Sequence, residues 1–473
     1  MFKVTRIPIL IGLFYGSLCL AQGNYRFENH GNKSLLLNGA VTGTVDDLGM
    51  VYYNPARLAF VDTLGLTINA KAYEIRAYRF ENALGENEVL KSSNFRGLPG
   101  MVAKSFRVKK WPKHRFAYSF ISRSRTEFNL NYRSGLIESD VFSEIPGSEL
   151  YETRAGFQSR LREEWQGLSW AYPLNENWSV GASVFVSFYS LATSSNLTIT
   201  AQGEDDGGVA YFEERLGFDQ KSYGAFLLLS TAWKWKGMDM GFNAILPHLR
   251  LGGKAGLNAD EILAVQGSNQ PGIFNTAVLS NLENTRKTAL QLSYGLGFDW
   301  GRNRIHFNVD WHSAVQPYDR IRVDEDVRED FNLQELRFRE ELRPVVNFGL
   351  GGEIYIHEQL KAIASFSSDF SAYEDSVDTF SLLNSLERNV SLASDFWHYG
   401  LGVQFESDWG LFTLGSVYSR SRSDYANELD LPEQDSIEFD VVSLEQNRWR
   451  LLLGIELPMI QKKIDDKVRS FAE

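Results

Sequence analysis

Few residues of this 473-residue chain are spaced for chemistry. His306, Asp310 and His312 sit at alternating positions of "RIHFNVDWH" (304–312). An extended chain turns all three to one side, where they could ligate a metal. The same placement suits a polar lining, and no metal is expected. Carboxylates pair at Asp46-Asp47 and cluster in "VDEDVRED" (323–330), but no His, Ser or Lys stands at a spacing that would make either a general acid or base. The acidic run suits a solvated surface. The pairs Gly295/Gly297, Gly349/Gly351 and Gly400/Gly402 have a G-x-G form. They lie inside alternating segments instead of at the strand-to-helix turn that cradles a phosphate, and suit small inward positions that leave room for something in a bore. No Ser-His-Asp set can be assembled. The expectation is no catalytic residue, no cofactor and no enzyme.

The elements that position these residues follow a period of two. In "ALQLSYGLGFDW" (289–300), Leu290, Leu292, Tyr294, Leu296, Phe298 and Trp300 share one face. Gln291, Ser293, Gly295, Gly297 and Asp299 share the other. Residues 304–312 repeat the pattern, as do 178–188, 346–354 and 449–457, with Arg450 and Glu456 on the small or polar side of the last. These runs exceed the usual 5–6 residues of a sandwich strand and match the roughly 9–11 of a tilted membrane-crossing strand. Fourteen such strands are expected, near 63–79, 98–108, 113–130, 156–173, 177–197, 218–236, 237–252, 287–301, 303–316, 343–356, 359–375, 393–407, 408–424 and 447–457. Short turns follow the even strands, and long polar stretches (80–97, 131–155, 198–217, 253–286, 317–342, 376–392 and 425–446) follow the odd ones. Trp111, Trp178, Trp235, Trp300 and Trp409 lie at or beside the short turns, as an interfacial girdle would. The fold class expected is all-β: a transmembrane antiparallel barrel, closed because an unpaired backbone group in lipid costs several kcal/mol.

The N-terminus (1–21) has the order of an export signal: Lys3 and Arg6, an apolar stretch from Ile7 to Leu20, then Ala21. Cys19, the one cysteine of the chain, lies inside it. The formal net charge of −12 argues against a nucleic-acid partner. Residues 22–62 are too irregular for a strand. A bore of about fourteen strands needs filling, and this segment is placed to fill it. The barrel is expected over 63–457, and a periplasmic tail over 458–473, with Ile460, Ile464 and Val468 at helical spacing.

Within that segment, "LLLNGAVTGTVDDLGMVYYNPARLAF" (35–60) resembles the N-terminal hatch of the FadL-type (OMPP1/FadL/TodX) outer-membrane transporters of long-chain fatty acids and other hydrophobic compounds. The shared elements are Gly39-Ala40, Asp46-Asp47 and Asn54-Pro55-Ala56 in order. The resemblance implies a fourteen-strand barrel plugged by this hatch, with Asn54, Pro55 and Ala56 pinning it to the wall. It implies residence in the outer membrane of a Gram-negative cell, contact with outer-membrane lipid, and passive transport of fatty-acid-like small molecules. It also implies a side opening at a kink in the third strand; 113–130 holds no Pro or Gly to mark one. Phe185, Phe226 and Ile245 are bulky apolar residues on otherwise small or polar faces, placed for either a ligand or the plug. A monomer is expected. The alternative is a barrel component of a protein secretion or surface-assembly system.

Overall fold

The computed structural model describes residues 24–457, except 27, 62–64, 82–88, 140–141, 143–144, 146, 205–206, 267–271, 323–337, 374–393, 409 and 426–441. The export signal, the C-terminal tail, Trp409 and the acidic run 323–330 lie outside the described residues. Among the described residues the chain forms nineteen strand segments: β1 (Leu66–Glu81), β2 (Val89–Phe106), β3 (Arg115–Ser139), β4 (Glu149–Pro173), β5 (Trp178–Gly203), β6 (Val209–Trp235), β7 (Met238–Ile245), β8 (Leu249–Val265), β9 (Ile273–Asn284), β10 (Gln291–Trp300), β11 (Asn303–His312), β12 (Val315–Asp319), β13 (Ile321–Arg322), β14 (Arg339–Leu342), β15 (Val345–His357), β16 (Leu360–Asp369), β17 (Phe396–Ser407), β18 (Gly410–Tyr425) and β19 (Val442–Leu457). Four wall strands are interrupted: β7 continues as β8, β9 as β10, β11 as β12 and β13, and β14 as β15. The result is a closed antiparallel barrel of fourteen strands. The ring shuts where β1 pairs with β19, from Leu66↔Leu457 to Glu81↔Ser443.

The period-two pattern decides the wall. On β10 and β11, Tyr294, Phe298, Ile305, Phe307 and Trp311 are exposed on the outer surface, while Ser293, Gly295, Gly297, His306, Asn308, Asp310 and His312 are buried inside. Trp111, Trp178, Trp235 and Trp300 stand exposed at the short-turn end, where an indole has its apolar body in lipid and its N–H near water. The β6–β7 turn is a two-residue hairpin with positive φ at both Lys236 (44°) and Gly237 (80°), matching the right-handed twist of its strands.

The stretches 131–155, 198–217 and 253–286, expected as loops, are largely strand. β5 has 26 residues and β6 has 27, far more than a membrane requires. The upper part of β5 keeps its alternation, with Leu197, Ile199 and Ala201 buried and Thr200 and Gln202 exposed. The outer face turns polar because it has left the lipid, while hydrogen bonding to the neighbouring strands continues. A polar outer face therefore marked the end of the lipid, not the end of the strand.

Candidate functional site

The bore is occupied by residues 24–61. Short helical turns α1 (Lys33–Leu36) and α2 (Met50–Tyr53) and a 3-10 turn, Pro55–Phe60, carry the segment across the lumen. Asp47 staples it locally: its carboxylate accepts from the Ser34 N–H (2.9 Å), the Ser34 hydroxyl (2.8 Å) and the Gly49 N–H (2.9 Å). Burial pushes the Asp47 carboxyl above its usual range, against the pull of the Ser34 hydrogen bonds. Asn54 ends α2 and donates its amide to the carbonyls of Thr42 (2.8 Å) and Thr231 (3.1 Å), the latter on β6. Pro55 opens the 3-10 turn, where its missing N–H leaves no further unpaired donor. Ala56 N–H donates to the Ser230 hydroxyl (2.9 Å), and Ser179 donates to the Ala56 carbonyl (2.9 Å). The turn is thus joined to β5 and β6.

The wall meets the plug with charge and with missing side chains. Lys33 bonds Asp46 at 2.5 Å and Glu353 of β15 at 2.7 Å. Burial alone would lower the Lys33 pKa, but these two carboxylates outweigh it and raise it above the ordinary 10.5. A raised lysine contributes its full stability below its unfolded pKa, so the anchor is intact at physiological pH and loosens only in strong alkali. Lys33→Met leaves Glu353 buried with its principal cation removed. The expected loss is about 3 kcal/mol or more, read as faster proteolysis of the plug in the folded barrel. Arg26 donates to Asp310 at 2.6 Å, Thr44 and His306 are 2.7 Å apart, and Tyr25 stacks on His312 with ring centres 3.7 Å apart. The histidine–aspartate face that suggested a metal is thus a docking face for the plug. The glycine pairs have the same purpose. A Cβ on Gly295 would lie 2.3 Å from the Gly43 nitrogen, and one on Gly400 would lie 2.1 Å from the Leu36 carbonyl oxygen.

Beside the plug lies a cavity of about 280 Å³. Its lining includes the apolar Phe128, Leu161, Trp165, Leu191, Phe226 and Ile245. It also includes the charged Arg123, Glu163, Arg286, Arg320 and Glu340. Glu163 holds Arg286 through two hydrogen bonds of 3.0 Å, and Glu340 pairs with Arg320. Arg123 differs from these. Its guanidinium lies over the rings of Tyr52 (5.4 Å) and Trp165 (5.6 Å), and no described carboxylate comes within ion-pair distance. Phe226 and Ile245 come together in the lining. Phe185 does not line it: it is fully buried against Trp165, with ring centres 5.2 Å apart, in the one cluster that also holds Phe226, Ile245 and Met50 and Val51 of the plug. Sequence reasoning missed Arg123, Glu163 and Arg286, although each is a charge within or beside a barrel strand.

The wall has a seam next to this cavity. The β3–β4 ladder runs from Arg115↔Ala171 to Ser139↔Glu149, but β2 and β3 pair only from Phe106↔Phe116 to Met101↔Ile121. Beyond Ile121 the two strands part. The β3–β4 register slips between Ser122 and Ser124, so the bend is a bulge centred on Arg123. A bulge needs no Pro or Gly, and for that reason the sequence did not show it.

No protein-family model and no curated protein matches the chain. Solved structures do match in fold. A Pseudomonas aeruginosa FadL homologue is 13% identical with a TM-score of 0.53, over 92% of this chain and 100% of the other. The P. putida toluene transporter TodX is 11% identical with a TM-score of 0.53, over 91% and 98%. The CymD monoaromatic hydrocarbon channel is 13% identical with a TM-score of 0.52, over 91% and 98%. The chain has the FadL-type fold, a plugged β-barrel of the outer-membrane kind.

Proposed function

We propose that this protein lets hydrophobic small molecules cross the outer membrane passively, and that long-chain fatty acids are among them. The observation that carries the reading is the cavity: lined by apolar side chains together with a few charged ones, and bounded by the plug and by the β2–β3 seam. A lipid-like solute entering it gains about 0.8 kcal/mol per buried CH₂. The seam then offers a sideways way out into the membrane, so the solute need not pass through water below the plug. The likeness to TodX and CymD supports a hydrophobic cargo.

Arg123 favours an acid over a neutral hydrocarbon. Its guanidinium lies on two aromatic rings at the cavity, and Glu163, the carboxylate whose charge reaches it, is already hydrogen-bonded to Arg286, which leaves Arg123 the group to meet a ligand oxygen. Uptake of labelled oleate and labelled toluene, in cells with and without the gene, tests both parts. Oleate uptake that does not depend on the gene would remove the transport reading. Arg123→Leu is expected to weaken oleate binding to the purified protein by about tenfold or more, the worth of a charge-assisted hydrogen bond, while toluene binding changes little.

A further inference from the structure

The seam is crossed on its inner side by residues of β1, which is not a neighbour of β3. Tyr78 of β1 meets Phe128 of β3 edge to face, with ring centres 4.9 Å apart. Both rings are buried, at 5% and 3% exposure, and both line the cavity. Two residues away, Arg76 donates to the backbone carbonyl of Arg125 on β3 at 2.9 Å. These contacts join β1 to β3 at the level where β2 pairs with β1 but no longer with β3. Arg76 also lies 3.5 Å from the carboxylate of Glu28, which belongs to the plug. Glu28 is held in turn by Arg448 of β19 at 2.5 Å, and Arg448 bonds Glu74 at 2.6 Å. One arginine therefore touches both the plug and the free edge of the seam.

We propose that Tyr78 and Phe128 form a bar across the side exit that selects ligands by width, and that Arg76, tied to Glu28, places this bar under the control of the plug. The proposal rests on the transport reading above. A straight alkyl chain slips past an edge-to-face ring pair by small ring rotations. A fused-ring body cannot pass until the rings separate. Loss of the Glu28 charge frees Arg76 from the plug and loosens its hold between β1 and β3, so the bar opens more readily and the wide ligand gains most.

The test uses the full-length protein in intact cells, with labelled oleate and a pyrene-bearing fatty acid as narrow and wide probes, and equilibrium binding of both to the purified protein. Tyr78→Ala is expected to raise wide-probe uptake relative to oleate by about fivefold, the factor a ring pair of this kind is worth. Phe128→Leu, a milder change on the other strand, should move the ratio in the same direction and covers the case in which Tyr78→Ala does not fold. Glu28→Gln should raise the wide-to-narrow ratio as well. An unchanged wide-to-narrow ratio in the folded variants, with binding retained, overturns the bar. A Glu28→Gln variant with wild-type uptake overturns its link to the plug. Oleate uptake equal with and without the gene overturns the transport reading, and the bar with it.

Discussion

Planar bilayers holding the Gly295→Val variant are expected to conduct ions in large, steady steps, where the wild-type barrel remains closed. Gly295 is one of the points where wall and plug backbone pass closely. A Cβ there would sit 2.3 Å from the Gly43 nitrogen and 2.9 Å from the Thr42 Cβ, and neither can yield as a flexible side-chain tip would. The strand itself accepts valine readily, since β-branched residues suit a pleated wall. The conflict is therefore resolved by the plug leaving its seat. Fourteen strands enclose a bore that side chains alone do not fill, so an unseated plug means a water-filled path. Cells carrying the variant should also become sensitive to large polar antibiotics that the outer membrane normally excludes. Leu296→Val, one residue along and facing outward, is the matched control. A folded Gly295→Val barrel that stays electrically silent would show that residues 24–61 do not seal the bore.

The second large effect concerns the outer surface. Leu350→Arg should destabilise the folded barrel in lipid vesicles by about 2–4 kcal/mol, measured by reversible denaturant unfolding. Leu350 is 51% exposed on β15, between Phe307 of β11 and Phe366 of β16, well inside the apolar band. An arginine there must either stay in hydrocarbon or thin the bilayer around it. By contrast, Arg448 and Arg450 of β19 are fully buried but face the bore, where Glu28 and Glu74 are close to them. The same residue type is tolerated on one side of the wall and excluded from the other. If Leu350→Arg unfolds at the wild-type denaturant concentration, the outer band is not in lipid.

Much of the wall was legible in the amino-acid sequence, because lipid imposes its rule residue by residue. Every second side chain of a crossing strand must be apolar, so Leu292, Phe307 and Leu350 declare their side without knowledge of their neighbours. Tryptophans beside short turns declare one end. The fourteen strands follow from these local signals, and the irregular segment before them is marked as the plug by what it lacks. The strand ends beyond the lipid were not legible, since Thr200 and Gln202 face water and look like loop residues.

What tertiary structure alone decided is everything that joins distant parts of the chain. Arg26 meets Asp310, Glu28 meets Arg448, and Tyr78 crosses β2 to reach Phe128. No periodicity encodes such pairs, because each side chain obeys its own strand equally well with or without its partner. The meeting of Phe226 and Ile245 in the cavity lining, the seating of Arg123 on Tyr52 and Trp165, and the seam beside a bulge without Pro or Gly all arise when the sheet closes on itself. Solvent contact is a property of one residue and leaves a trace in sequence; mutual contact across a bore is a property of the closed ring and leaves none.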